Sequence, residues 1–330
     1  MTIAVVGTGS AGRRHLANLR ALGREVLAVS ATRGRGTVEL DAGEVDCLPT
    51  IDEAIALGLE AVVVANATSA HEAATAAALD AGLDVYLEKP ATPTAASAAA
   101  IATRARGAGA VVAVGHQLRF HPVLDALRAV VAGGELGRLL VVRADWVEHL
   151  ADYHPDEDYR TGYAARRELG GGVLLTQIHL PDLLHHLVGP FRSVRAVGGQ
   201  LTHLELDVDD SVTFLATAAD DLAVTGHLDY VGRPKRSILE LRGTAGWATA
   251  DLVAGTLAVQ RSDPLGPVDV QDHPIDRNDL FVATMADFLD ACAQRRAPRC
   301  SLDDAVAVLE LTDAIRASMA GGGDVAVGRA

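Results

Sequence analysis

Close to its start the chain reads Ile3-Ala4-Val5-Val6, an apolar run suited to a buried strand, followed at once by Gly7-Thr8-Gly9-Ser10-Ala11-Gly12 and a helical stretch. A G-x-G-x-x-G on its own says little. Between a strand and a helix it is the arrangement that a dinucleotide fingerprint requires. The first glycine permits a tight turn, the second lets a pyrophosphate approach the backbone, and the third lets helix and strand pack closely. The helix start then offers N–H groups and the positive end of its dipole. Arg13 and Arg14 occupy the first helical turn, where cations oppose that dipole unless they meet an anion. The expected cofactor cradle is therefore Gly7, Thr8, Gly9, Ser10, Ala11, Gly12 and Arg13.

Up to about Gly115, short β-branched runs alternate with Ala-rich helical stretches. Glu25–Ser30, Ala61–Ala65, Asp84–Leu87 and Val111–Val114 read as strands, while Arg13–Leu22, His71–Ala81 and Thr94–Ala108 read as helices. Alternation at this spacing makes βαβ units, hence a doubly wound parallel sheet of the Rossmann kind. After Phe120 the texture changes. A helix over Pro122–Ala132 precedes hairpin-spaced runs at Ser211–Thr217, Ala223–Tyr230, Ser237–Arg242, Trp247–Leu252 and Thr256–Arg261, which predict an antiparallel meander. Helices over Asp279–Gln294 and Leu302–Met319 follow. The expected class is α/β, with a nucleotide-binding domain over 1–118 and a second α/β domain over 119–330.

Composition excludes several roles. A net charge of −14 disfavours a phosphate backbone as partner, so no nucleic-acid role is expected. Cys47, Cys292 and Cys300 form neither disulfide-type nor metal-type pairs and fit a reducing compartment. No apolar run reaches the ~18 residues of a membrane span. The first residues carry no secretion signal, so a cytoplasmic protein without membrane contact is expected.

The end of the second strand bears on the cofactor. An NAD-specific chain usually places an acid there for the ribose 2′-hydroxyl. This one reads Ser30-Ala31-Thr32-Arg33-Gly34-Arg35, with no acid between Glu25 and Glu39. Hydroxyls and guanidinium groups at Ser30, Thr32 and Arg33 suit a 2′-phosphate, so NADP(H) is preferred over NAD(H). The other reading is that Arg33 and Arg35 only solvate a loop. Glu88-Lys89-Pro90 follows the strand over Asp84–Leu87, at the sheet edge where ligands of open α/β folds bind. Beside a cationic ring in a partly dry site, Lys89 would give up its proton more readily than usual. Lysines in loops are otherwise mostly solvated.

GTGSAG, VVVANATSAHEAATAAALDAGLDVYLEKP, VGHQLRFHP, ELGGGVLLTQIHLPDLLHHLVG and FLDACAQRRAPRCSLDDAVAVLELTDAI occur in this order. Together they resemble the glucose–fructose oxidoreductase / inositol dehydrogenase (Gfo/Idh/MocA) family across nearly the whole chain. The resemblance implies a second domain with an open, mostly antiparallel sheet, and hydride transfer between a nicotinamide and a carbinol or ketone carbon. The substrate it implies is a sugar, amino sugar, nucleotide sugar or cyclitol. It also implies that Lys89 moves the hydroxyl proton, that Asn66, Ala67, Thr68, His71 and Glu88 line the cofactor loops, and that Gln117 and Arg119 reach nicotinamide and substrate.

In the second domain, His179-Leu180-Pro181-Asp182 follows a triple glycine, with His179 expected just outside a helix and facing a cleft. The family places Asp four residues before this His. Here the segment is one residue shorter and Thr176 stands near that place, so proton transfer would rest on Lys89 and His179, with Thr176 holding a substrate hydroxyl. The polar and aromatic stretch Trp146–Arg167 offers His154, Tyr159, Arg160 and Tyr163 as substrate contacts; a solvated loop or subunit contact is the other reading. No metal site is expected. Homodimers or homotetramers are expected, because an open sheet face is usually covered. Two further functions stay open: a catalytically silent nicotinamide-binding sensor or scaffold, and an NAD-assisted glycosidase.

Overall fold

The computed structural model describes residues 2–153, 155–261 and 266–328. By packing, the chain divides into two units. One comprises the residues to Gln117 with Arg277–Val306, and the other comprises Leu118–Asp276 with the residues from Ala307 onward.

The first unit begins with β1 (Thr2–Val6), α1 (Ser10–Ala21) and β2 (Glu25–Val29). Next come β3 (Gly36–Leu40), β4 (Gly43–Leu48), a short α2 (Ile51–Ile55) and β5 (Leu59–Val64). The run ends with α3 (His71–Asp80), β6 (Asp84–Leu87), α4 (Ala95–Ala108) and β7 (Val112–Val114). The sheet order is β3-β4-β2-β1-β5-β6-β7, and every neighbouring pair is parallel except β3 with β4. The central strands are apolar on both faces because helices cover both. Winding reverses between β1 and β5, so the carboxyl ends of these two strands flank the crevice where such sheets bind ligands. A β3–β4 hairpin, which the sequence reading did not assign, follows Arg35. Its Val38, Val45 and Cys47 turn inward and are buried, and Gly43, at φ +98°, sits at its turn.

The second unit contains α5 (Pro122–Ala132), β8 (Leu139–Val147), α6 (Val173–Thr176), α7 (His179–Val188), β9 (Phe191–Gly199), β10 (Ser211–Ala218), β11 (Ala223–Asp229), β12 (Arg236–Gly243), β13 (Gly246–Asp251), β14 (Thr256–Arg261) and β15 (Asp269–Asp272). After α8 (Arg277–Gln294) and α9 (Leu302–Gly321), a short β16 (Val325–Ala326) completes its sheet. The order is β15-β14-β13-β12-β8-β11-β10-β9-β16, antiparallel throughout except that β8 and β11 run parallel. Alternation is clearest in β10, where Val212, Phe214, Ala216 and Ala218 are buried. They pack on Leu124 and Leu127 of α5, Leu180, Leu183 and Leu184 of α7, and Leu311 and Ile315 of α9. On the other side Val197 and Leu215 are exposed.

A contiguous division at residue 118 does not describe this packing. Helix α8 returns to the first sheet, where Met285 and Phe288 join the core beside Tyr86. Among the described residues, no helix is long and apolar enough to cross a membrane.

Candidate functional site

In the first unit the glycine turn has the shape that the pattern predicts. Gly7 adopts φ +107°, and a Cβ on it would lie 2.5 Å from the carbonyl oxygen of Ala65 at the end of β5. A Cβ on Gly12 would overlap the carbonyl oxygen of Gly7 and stand 2.8 Å from its carbon. Only glycine therefore lets α1 meet β1 this closely. Gly9 differs, because a Cβ there would meet no heavy atom within 4 Å. It is the N-cap of α1 and brings no side-chain cap, and the first turn holds no acid, which leaves the positive helix end open to an anion. Asn66, after β5, keeps a buried side-chain oxygen without a hydrogen-bond partner among the described residues. Open cradle, uncapped helix and orphaned amide together fit a dinucleotide.

At the end of β2 the hydroxyls gather as expected. Ser30 and Thr32 lie 3.2 Å apart through Oγ and Oγ1, Thr8 Oγ1 reaches Ser30 Oγ at 3.4 Å, and Arg33 Nε donates to Thr8 Oγ1 at 3.1 Å. Arg13 donates to the Glu39 carbonyl at 2.9 Å, and Arg35 is paired with Glu53. Ala67 and Thr68 open a 3-10 turn after β5, with Thr68 buried. His71 is buried between loops: Nδ1 lies 2.9 Å from the Pro90 carbonyl and Nε2 lies 3.1 Å from that of Asn66. Burial holds its pKa below the usual 6.5, partly offset by these carbonyls. His71 thus joins the loop after β5 to the loop that carries Lys89.

Lys89 is partly exposed at the carboxyl end of β6. Glu88, expected at the cofactor, faces inward: Oε1 lies 2.7 Å from His15 Nε2, and Oε2 accepts the Lys89 backbone N–H at 3.1 Å. Burial pushes its carboxyl up, but the hydrogen bond and charge of His15 and the charge and amide of Lys89 outweigh this and hold it below the usual range. One signal escaped the sequence reading. Only two of the 330 residues are lysine, Lys89 and Lys235, against 27 arginines. Unlike Arg, which stays charged, Lys has an ammonium able to lose its proton. Lys235 is ion-paired with Glu148 at 2.8 Å. Gln117, buried, closes the first unit in a 3-10 turn shared with Arg119.

In the second unit, Arg119 departs from its expected substrate contact. Its guanidinium is fully buried and grips Asp182 of α7, with Nε 3.0 Å and Nη2 2.6 Å from Oδ1. A buried arginine held this way positions the start of α7 rather than reaching outward. His179 is the first residue of α7, not outside it, and its ring stacks on Trp146 with centroids 5.4 Å apart and planes 24° from parallel. Gln177, which the sequence reading passed over, donates to Tyr153 Oη at 2.7 Å. Thr176 is buried, and Tyr230, buried as well, turns its hydroxyl to the Ala164 carbonyl at 3.4 Å. In the loop after β8, Tyr159 packs on the core, Tyr163 is exposed, and Arg160 is exposed and paired with Asp158 and Glu205. His154 lies outside the described residues. Among those described, no group of three His, Cys, Asp or Glu is placed to hold a metal.

Comparison with known proteins agrees with both units. Residues 1–116 match the model of the oxidoreductase family with an NAD-binding Rossmann fold, and residues 124–249 match that of the GFO/IDH/MocA C-terminal domain. The chain is 30% identical over 227 residues to the myo-inositol dehydrogenase Hyg17 of Streptomyces leeuwenhoekii, covering 67% of each chain. It is 28% identical over 309 residues to the UDP-N-acetylglucosamine 3-dehydrogenase of Acidithiobacillus ferrooxidans, covering 91% of each. Its fold superimposes on levoglucosan dehydrogenase in complex with NADH with a TM-score of 0.87 at 19% identity, covering 100% of both. With both domain models matched in order, the chain belongs to the Gfo/Idh/MocA family of oxidoreductases, with an NAD-binding Rossmann domain at its N-terminal side.

Proposed function

We propose that this oxidoreductase interconverts an alcohol and a ketone on a sugar, amino sugar, nucleotide sugar or cyclitol, with NADP(H) preferred over NAD(H). The observation that carries the reading is Lys89. It sits at the carboxyl end of β6 above a buried carboxylate, in a unit whose glycine turn fits a dinucleotide. The names of relatives that act on inositol and on UDP-N-acetylglucosamine support the substrate class.

In this reading Gly7–Gly12, Arg13, Asn66, Ala67, Thr68 and Gln117 hold the cofactor. Ser30, Thr32 and Arg33 receive the 2′-phosphate. The bound nicotinamide supplies a hydride acceptor or donor at its C4. Lys89 takes the hydroxyl proton during oxidation and returns it during reduction, with His179 assisting. Tyr159, Arg160 and Tyr163 provide hydroxyl contacts and stacking, and the exposed Tyr163 and Arg160 are open to such a role. Dimers or tetramers are proposed on the exposed Val197 and Leu215 of the second sheet, to be read by light scattering.

The test is a nicotinamide-absorbance screen over inositols, sugars, amino sugars and nucleotide sugars with both cofactors. Lys89→Met should lower turnover about 10²-fold or more while leaving cofactor affinity within a few-fold. Retained turnover would remove the lysine from the reaction. A second reading, cofactor binding without catalysis, is favoured by the buried Thr176, which stands where an acid is expected. It predicts tight cofactor binding with no absorbance change on any substrate.

A further inference from the structure

His15 lies on the inward side of α1 with no solvent exposure, and its Nε2 meets Glu88 Oε1 at 2.7 Å. Tyr86 and Phe281 wall the ring edge-on, with centroids 5.1 Å and 6.3 Å away. An ionised carboxylate only accepts hydrogen bonds, so Nε2 carries the hydrogen. A buried carboxylate is costly without a donor, and here His15 supplies one while the Lys89 amide supplies the other. Both oxygens of Glu88 are thereby directed to the protein. The pair joins the helix behind the glycine turn to the loop that carries Lys89.

Resting on the reading of Lys89 as the proton-transfer group, we propose that His15 and Glu88 are positioning residues. They fasten the Lys89 backbone to α1 and keep a negative charge beside its ammonium. The Lys89 charge is among the causes that hold the Glu88 carboxyl low against its burial. The other groups that sense Glu88 are Arg14, with Arg277 beside it, His71, and the buried Tyr86 hydroxyl with Cys300 nearby. None of these is a carboxylate able to replace its charge.

The two-lysine composition makes the test clean. The full chain, without cofactor or substrate, is treated with trinitrobenzenesulfonate over a pH series, and each lysine is quantified by peptide mass. Lys235 serves as the internal reference. Glu88→Gln should move the pH profile of Lys89 modification to lower pH by about 0.5–1 unit, leaving that of Lys235 in place. His15→Leu leaves the carboxylate ionised but without the N–H that offsets its charge, and should move the profile the other way, to higher pH. His15→Gln keeps an N–H donor and should restore most of the parent profile. With an active substrate in hand, Glu88→Gln should lower kcat about 10–100-fold with KM within a few-fold. The proposal is overturned if folded Glu88→Gln leaves the Lys89 profile within about 0.2 unit of the parent. If that variant does not fold, indistinguishable profiles for His15→Leu and His15→Gln overturn it equally. Because labelling needs no substrate, a silent absorbance screen would count against the oxidoreductase substrate reading while the labelling result still judges the pair.

Discussion

Gly9 and Gly12 stand three residues apart, yet a methyl group on each should have opposite consequences. A Cβ on Gly12 overlaps the Gly7 carbonyl oxygen and lies 2.8 Å from its carbon. Ordinary carbon contacts are ~3.5–4.0 Å, so α1 must retreat by roughly 1 Å. Overpacking of flexible cores costs about 1–3 kcal/mol. Here both partners are backbone, so the upper end applies. Replacing a helical glycine by alanine returns about 0.5–1 kcal/mol, leaving Gly12→Ala about 2 kcal/mol less stable. At Gly9, with φ −72° and open space around the Cβ position, alanine strains nothing. The fold then loses at most about 1 kcal/mol of N-cap preference. The added methyl instead fills the place where a pyrophosphate would approach. Losing one or two charge-assisted hydrogen bonds of about 1.5–3 kcal/mol weakens cofactor binding about 10–100-fold or more. Urea unfolding followed at the first unit, together with calorimetric titration of NAD and NADP, measures both effects. A Gly12→Ala protein as stable as its parent would refute the packing argument. Parent-like affinity in Gly9→Ala would refute the phosphate cradle.

Three other outcomes follow from the geometry. Asp182→Asn should cost about 3–5 kcal/mol, because it leaves the buried Arg119 guanidinium without its carboxylate; denaturant midpoints check this, and a loss under 1 kcal/mol would contradict it. Arg33→Ala should weaken NADP binding about 10-fold or more and leave NAD nearly unaffected, since Arg33 is the guanidinium at the β2 hydroxyl cluster; equal losses for both cofactors would remove the 2′-phosphate role. His71 has its pKa lowered by burial, so its contribution is complete above the unfolded value of about 6.5 and is lost as pH falls below it. The slope is at most about 1.4 kcal/mol per pH unit. Urea midpoints of the parent should therefore fall from pH 7 to pH 5.5 more steeply than those of His71→Gln.

Regular elements were legible where a periodic pattern ran unbroken. The strand over Asp84–Leu87 and the helix over Pro122–Ala132 have the ends that the sequence predicts, since Asp84 opens the strand, a charged pair follows it, and Pro122 and Gly133 bracket the helix. The β3–β4 hairpin was not legible. Val38, Val45 and Cys47 are its only buried residues, scattered among exposed Gly, Thr and Glu. The parallel β8–β11 pairing was equally hidden, because register between strands about 80 residues apart leaves no local trace. In the site, the glycine turn and the β2 hydroxyls could be read from neighbours in the chain. The partners of Glu88 and Arg119 could not, because His15 and Asp182 come from helices 73 and 63 residues away. A buried charge announces that it needs a counterpart, but one sequence does not say which.

Helix α8 gives the order of synthesis a physical meaning. Its Met285 and Phe288 belong to the core that also holds Ile3, Val5 and Leu16, and its Asn278 exchanges side-chain amide hydrogen bonds with Asn18. A nascent chain that has emerged only as far as β7 has made every strand of its first sheet while Tyr86 still lacks the aromatic edge of Phe288. That sheet must wait, with apolar surface uncovered, for roughly 160 more residues to be translated. At ~5–20 residues per second the interval is about 8–30 s, long enough for chaperone capture to compete with folding.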